Sequence, residues 1–166
     1  MNIFYVDHNP LSAAQQLPDK LVVKMPVECC QMLVSALMRH GVDHDVRTKA
    51  GTVHRGGYHN HPCTVWCGDT RNNFAWLLAH GYGLCDEYQL RYGREHACKA
   101  QLDQVAQYVS LIPAGEFTTP ALAMPDELKV SDPVESYHNC IRNKVALKPL
   151  SFVWNKCPEH RPSWAL

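Results

Sequence analysis

The chain carries no surplus of either charge sign. Lys plus Arg and Asp plus Glu each total 16, so the net charge is zero with histidines neutral. This excludes the uniform phosphate attraction of a strongly basic nucleic-acid binder, though not a basic face balanced by an acidic one. Ten histidines add positive charge only below about pH 6.5. The opening Met1-Asn2-Ile3-Phe4-Tyr5-Val6-Asp7 has neither the basic start nor the long apolar run of a leader. No apolar stretch approaches the roughly 18 residues of a membrane span. The expectation is a cytoplasmic protein (of the host cell, if phage-encoded) with no membrane partner. Internal repeats and low-complexity tracts are absent.

What is present is a core-forming composition. The chain has 166 residues, 46% hydrophobic against 19% charged. That suits one compact domain over 1–166. Hydrophobic spacing predicts a mainly α fold: a helical bundle with long loops and an extended C-terminal tail. A brief helix is expected over 11–17 and a second over 27–40, stopped by Gly41. If that second helix starts at Pro26, Glu28 falls in its first turn, where the helix dipole favours a carboxylate. If it starts nearer Asp19, Pro26 kinks it. Residues 42–62 read as a polar loop. A long helix is expected over 69–92, bent at Gly81 and Gly83, and a shorter one over 95–111. A proline-bearing loop over 112–132 leads to a helix from Asp132-Pro133-Val134-Glu135, which has the form of a capping box, to about Lys144. The tail over 149–166 is pinned by Trp154 and Trp164. In a cytoplasmic protein the eight cysteines are free, buried thiols or metal ligands rather than disulfides.

Two segments carry polar residues that a helical core does not need. One is Asp19-Lys20-Leu21-Val22-Val23-Lys24-Met25-Pro26-Val27-Glu28. The other is Gly57-Tyr58-His59-Asn60-His61-Pro62. Lys24 precedes Glu28 by four residues, one helical turn, so the two can pair. His59, His61, Cys63 and Cys67 are all zinc-compatible types, but their spacing matches no standard zinc motif. Loop capping and core packing are the plainer roles for these four. Cys29-Cys30 read as a packing pair, and Trp66, Phe74 and Trp76 as core. Arg71, Arg91 and Arg94 are either phosphate contacts or ordinary surface charges. Asp126, in the 112–132 loop, is a candidate wall of a site or simply part of a turn.

The Gly-Tyr-x-Asn-His-Pro stretch, followed by Glu87, Arg91-Tyr92-Gly93 and His96, resembles the pyrimidine-dimer DNA glycosylases of the endonuclease V type. Asp19 and Glu28 keep that family's Asp-to-Glu spacing of nine. Over nearly its full length the chain also resembles a group of short phage and bacterial proteins that begin Met-Asn-Ile-Phe. The resemblance implies a compact helical enzyme that breaks the N-glycosidic bond of a damaged pyrimidine in DNA and then nicks the strand, with no cofactor. In that chemistry an amine attacks C1′ and a carboxylate stabilises the charged sugar. Carried over by position, Glu28 matches the carboxylate and His61 the histidine before proline. His59, Asn60, Arg91, Tyr92, His96 and Asp126 are the expected substrate contacts. The sequence departs from the family at Leu21, where a histidine stands in the motif, and at Val27, Cys29 and Gln31, where arginines flank the glutamate. Asn at position 2 leaves Met1 in place, so the amine is that of Met1 or, if buried enough to lose its proton, that of Lys24. The alternative is a non-enzymatic phage accessory protein that binds a nucleotide or a host or phage protein. A basic face would favour DNA over that alternative.

Overall fold

In the computed structural model all residues 1–166 are described, as six α-helices and no strands: α1 Pro10–Gln15, α2 Asp19–Arg39, α3 Pro62–Asp69, α4 Arg71–Tyr92, α5 Cys98–Ala106 and α6 Pro133–Leu147. Four 3-10 turns lie among the loops after α5 and in the tail, and a lone antiparallel bridge joins Arg47 to Val53. The mainly α expectation holds. One hydrophobic cluster runs from Ile3 to Ala165, so the N-terminal segment, the helices and the tail share a core.

The centre of that core is the packing of α2 on α4. The short α1 lies on α4, α3 lies on α2, and α5 packs on both long helices. α2 starts at Asp19, so Pro26 sits inside it and Glu28 falls mid-helix. This corrects the first-turn reading of Glu28: the helix dipole does not hold its carboxylate. Pro26 has no N–H to give to the preceding turn. Close by, the Val23 carbonyl meets the His96 ring, Nε2 to O 3.1 Å. By length and composition α2 is long and apolar enough to cross a membrane, contrary to the sequence expectation. However, 72% of its apolar window is buried against the other helices.

Two helices occupy the stretch after Pro62. The Thr70 hydroxyl accepts from Asn73 N and caps α4, while the His61 ring accepts from Cys63 N and caps α3. α4 continues as one helix through Gly81 and Gly83. Those glycines serve close approach: a Cβ would lie 3.1 Å from Leu102 at position 81 and 3.0 Å from Ala14 at position 83. The helix expected over 95–111 is shortened to α5, because the His96 ring takes the Cys98 N–H and starts it there. At α6 the Asp132 carboxylate accepts from Val134 N, but Glu135 bonds Arg142 and His138 instead of closing a capping box. The tail is pinned as expected: the Trp154 and Trp164 indoles donate to the Gln16 carbonyl and side-chain oxygen. All eight cysteines are free and buried.

Candidate active site

Glu28 lies on the stripe of α2 that turns toward the chain's first residues and the 56–61 loop. Its side chain is only 9% exposed. Oε2 accepts from the Asn2 backbone N–H at 3.0 Å and stands 3.6 Å from the Met1 amino nitrogen. Oε1 is 2.8 Å from Lys24 Nζ. Met1, Lys24, Val27, Glu28, Gln31 and Tyr58 line a pocket of about 340 Å³ at this point.

The opening residues fix the place of the Met1 amino group. The Met1 side chain is buried, which leaves the amino group as the polar end facing Glu28. Asn2 folds back on its own backbone, and its Oδ1 accepts from Ile3 N and Phe4 N at 2.8 and 3.0 Å. Its amide donates to the Ala123 carbonyl at 2.9 Å. Phe4 takes a left-handed φ of 42° as the chain turns into the core. A side-chain oxygen that satisfies successive backbone N–H groups is the usual local device of Asn. Sequence reasoning used Asn2 only to argue that Met1 stays. Its place between Met1 and a buried apolar run was the available signal for a second, positioning role.

His61 caps α3 through Nδ1, so its neutral ring carries the proton on Nε2. Burial holds its pKa below the ordinary histidine value, and the Met1 ammonium lowers it further while Glu28 opposes. His61 is therefore close enough to both groups to feel their charges. Lys24 is 60% exposed, so the burial that a nucleophilic lysine requires is missing. Tyr58 lines the pocket, although its part in the motif carried no assigned role.

His59 and Asn60 open on a neighbouring depression of about 380 Å³ with Ser35, Met38, Arg39 and Val65. The α2 residues of the two pockets, 24, 27, 28, 31, 35, 38 and 39, form one helical stripe. The stripe runs from residue 24 to residue 39, roughly 22 Å along the axis. The 56–61 loop crosses it at Ser35.

The other expected contacts lie elsewhere. Arg91 is buried and donates to Asp19 Oδ1, Glu87 Oε2 and the carbonyls of Leu17 and Gln15. A guanidinium so saturated has no donor to offer a substrate, which corrects its assignment as a substrate contact. Tyr92 packs on Tyr88, with Lys156 over its face. His96 uses both ring nitrogens, one on Val23 O and one on Cys98 N. Asp126 is exposed and pairs with Lys129, whereas Ala123 of the same loop accepts from Asn2 and Phe117 stacks on Tyr5. Arg71 and Arg94 are also committed internally, to the Ser110 and Ile112 carbonyls and to Tyr88. Cys63 and Cys67 point into the core, where burial pushes the Cys63 thiol up to about 11. His59 is exposed, and no three His, Cys, Asp or Glu side chains converge to hold a metal, so the zinc set is not assembled.

Free cations lie where the sequence balance hid them. From Val46 to Gly68 there is no Asp or Glu, but there are Arg47, Lys49 and Arg55 with His54, His59 and His61. The three Lys/Arg side chains are exposed on the arm that leads into the site loop, and only Arg47 has an acidic partner, Asp45.

No curated protein and no solved structure matches the chain. A family model described as pyrimidine dimer DNA glycosylase matches residues 1–100, which include Met1, Glu28, the 46–61 arm and the motif from Glu87 to His96. By that match the chain belongs to the pyrimidine dimer DNA glycosylase family.

Proposed function

We propose that the protein is a DNA glycosylase and abasic-site lyase acting on damaged or modified pyrimidines, with the Met1 α-amine as nucleophile and Glu28 as the catalytic carboxylate. The observation that carries this reading is the Met1 nitrogen 3.6 Å from Glu28 Oε2 at an open pocket, with the Met1 side chain anchored in the core. An α-amine, with an ordinary pKa near 8, keeps a usable unprotonated fraction at neutral pH.

In the first step the amine nitrogen bonds to C1′ while the C1′–N1 bond breaks and its electron pair leaves with the base. Glu28 lies against the positive charge that develops on the sugar, where a preorganised anion acts most strongly. The added nitrogen gives one proton to the departing base, and opening of the C1′–O4′ bond, with O4′ taking a proton from solvent, turns the adduct into a protonated imine. Loss of a C2′ proton to the carboxylate then expels the 3′ phosphate. Neutral His61 offers Nε2–H beside the amine without adding a competing positive charge. The exposed Arg47, Lys49 and Arg55 supply phosphate attraction along the approach to the pocket. They favour DNA as the partner over the accessory-protein reading, which zero net charge and the missing arginines around Glu28 support. His59 and Asn60 belong to the substrate groove in this reading, whereas Lys24 orients Glu28 rather than attacking.

The test is incubation with labelled duplexes carrying a cyclobutane dimer, an abasic site or no lesion, in the presence of borohydride. The expected result is a covalent adduct on the damaged duplexes that persists in Lys24→Ala and disappears when the N-terminus is acetylated. An adduct lost in Lys24→Ala and kept after acetylation would move the nucleophile to Lys24. No adduct and no nicking on any duplex would overturn the lyase.

A further inference from the structure

Tyr58 is the most conspicuous side chain at the pocket that the chemistry above leaves unused. It is a non-glycine residue at φ 54°, a backbone conformation that costs on the order of 1 kcal/mol or more. The residue is 64% exposed. It stacks on no other aromatic ring, and its hydroxyl is not among the hydrogen-bonding side chains. The fold therefore gains little from a tyrosine here.

The backbone beneath Tyr58 is nevertheless held firmly. The Ser35 hydroxyl accepts from Gly57 N at 2.8 Å and donates to Gly57 O at 3.0 Å. Gly56, at φ 67°, lies so close to α2 that a Cβ would stand 2.3 Å from Ser35 Oγ and 2.9 Å from Ser35 N. On the other side, His61 N donates to the Tyr58 carbonyl at 2.9 Å. An exposed aromatic ring on a pinned, strained backbone is preorganised for a ligand rather than packed for stability. What it faces is the pocket of Met1, Lys24, Val27, Glu28 and Gln31, with the 44%-exposed Val27 extending the apolar surface.

We infer that Tyr58 is a base-stacking residue: its ring takes an unstacked nucleobase of the bound DNA at the mouth of the Met1–Glu28 pocket and so contributes to selection of damaged sites. The inference rests on DNA being the partner of the pocket. A target sugar between the amine and Glu28 requires its base, or the neighbouring base, to leave the helical stack. A flat ring at the rim replaces the stacking so lost. The contribution is selective because an intact duplex presents no unstacked base, and damage lowers the cost of extrusion. The arm cations contact phosphate irrespective of lesion, so the two terms separate experimentally.

The experiment compares the wild type with Tyr58→Ala, Tyr58→Gly, Tyr58→Phe and Tyr58→Trp. Glycine relieves the positive φ, so it controls for misfolding, which thermal melting monitors. Binding is read by anisotropy on a duplex with an uncleavable tetrahydrofuran abasic analogue and on its intact counterpart. A parallel duplex carries 5-iodouracil beside the analogue for photocrosslinking and peptide mapping. Loss of the ring is expected to weaken lesion-duplex binding by roughly 10-fold or more, with less than twofold change on intact DNA. Phe and Trp should stay within about threefold of wild type, and the crosslink should map to Tyr58. Unchanged lesion binding in both Ala and Gly variants, or equal losses on both duplexes, would overturn the inference. If borohydride adducts still form while Tyr58 proves indifferent, the lyase stands and the stacking role falls. If no adduct forms but the selective loss and the crosslink are seen, Tyr58 stands and the lyase falls.

Discussion

α2 carries two buried carboxylates nine residues apart, about 13 Å along the helix axis, and the fold treats them in opposite ways. Asp19 is saturated. Arg91 donates to one of its oxygens at 3.1 Å and the Lys156 backbone N–H to the other at 3.0 Å. Arg91 also binds Glu87, which in turn meets His160 of the tail at 3.0 Å. That cluster ties α2, α4 and the tail together, and every charge in it has a partner. Glu28 keeps weaker company: an amine at 3.6 Å, one backbone N–H and an exposed lysine. Spacing alone makes the two acids a matched motif pair. Their surroundings make one a structural tie and leave the other available for chemistry.

The comparison can be broken in four ways. The largest effect is expected from Arg91→Met. It leaves buried Asp19 and Glu87 without their cation, which costs about 3–5 kcal/mol. Urea unfolding should show that loss, while adduct yield per folded molecule should stay near wild type. A collapse of activity in protein that remains folded would instead return Arg91 to the site.

Glu28→Gln should do the reverse. Cleavage of damaged duplex should fall by roughly 10²–10³-fold, with stability within about 1 kcal/mol of wild type. Wild-type cleavage rates in this variant would remove Glu28 from the chemistry.

A third effect concerns a buried group outside both clusters. His80 is fully buried on Trp76, with Nδ1 on the Pro10 carbonyl and Nε2 unpartnered. Burial pushes its pKa down to about 4. Between pH 6.5 and 4 the unfolded chain holds a proton there that the native state does not. Stability is therefore fully present above pH 6.5 and drains as pH falls, by up to roughly 3 kcal/mol. Urea midpoints from pH 7 to 5 should fall more steeply in the wild type than in His80→Phe, and equal slopes would remove His80 as the cause.

Lys24→Ala should be the mildest. An ion pair with one partner 60% exposed contributes less than about 1 kcal/mol, and the borohydride adduct should persist.

The helical class, the position of α4, the end of α2 and the pinned tail were legible because they follow from hydrophobic period and punctuation, whereas the start of α2 was left open between Asp19 and Pro26. The division into α3 and α4 was not, because it depends on where the His61 and Thr70 side chains find backbone N–H groups. Among the expected site residues, Met1, Lys24 and Glu28 line one pocket, and His61 lies near enough to feel the Met1 and Glu28 charges. Arg91 and His96 belong to the same motif but turn inward, because a motif does not reveal which side chains the core consumes. Asn2 and Tyr58 escaped for the opposite reason. The role of each is set by a partner distant in sequence, Ala123 for one and the Ser35–Gly57 clasp for the other.

By itself the sequence determined a mainly α chain with a carboxylate nine residues after Asp19, a histidine before proline, and an acid-free stretch from Val46 to Gly68. Period and local chemistry suffice for these. The tertiary structure decided which charges are spent and which are free. Whether a carboxylate is neutralised by a buried guanidinium or left facing an amine depends on which helices, loop and terminus pack around it, and those contacts join residues 26 to 137 positions apart.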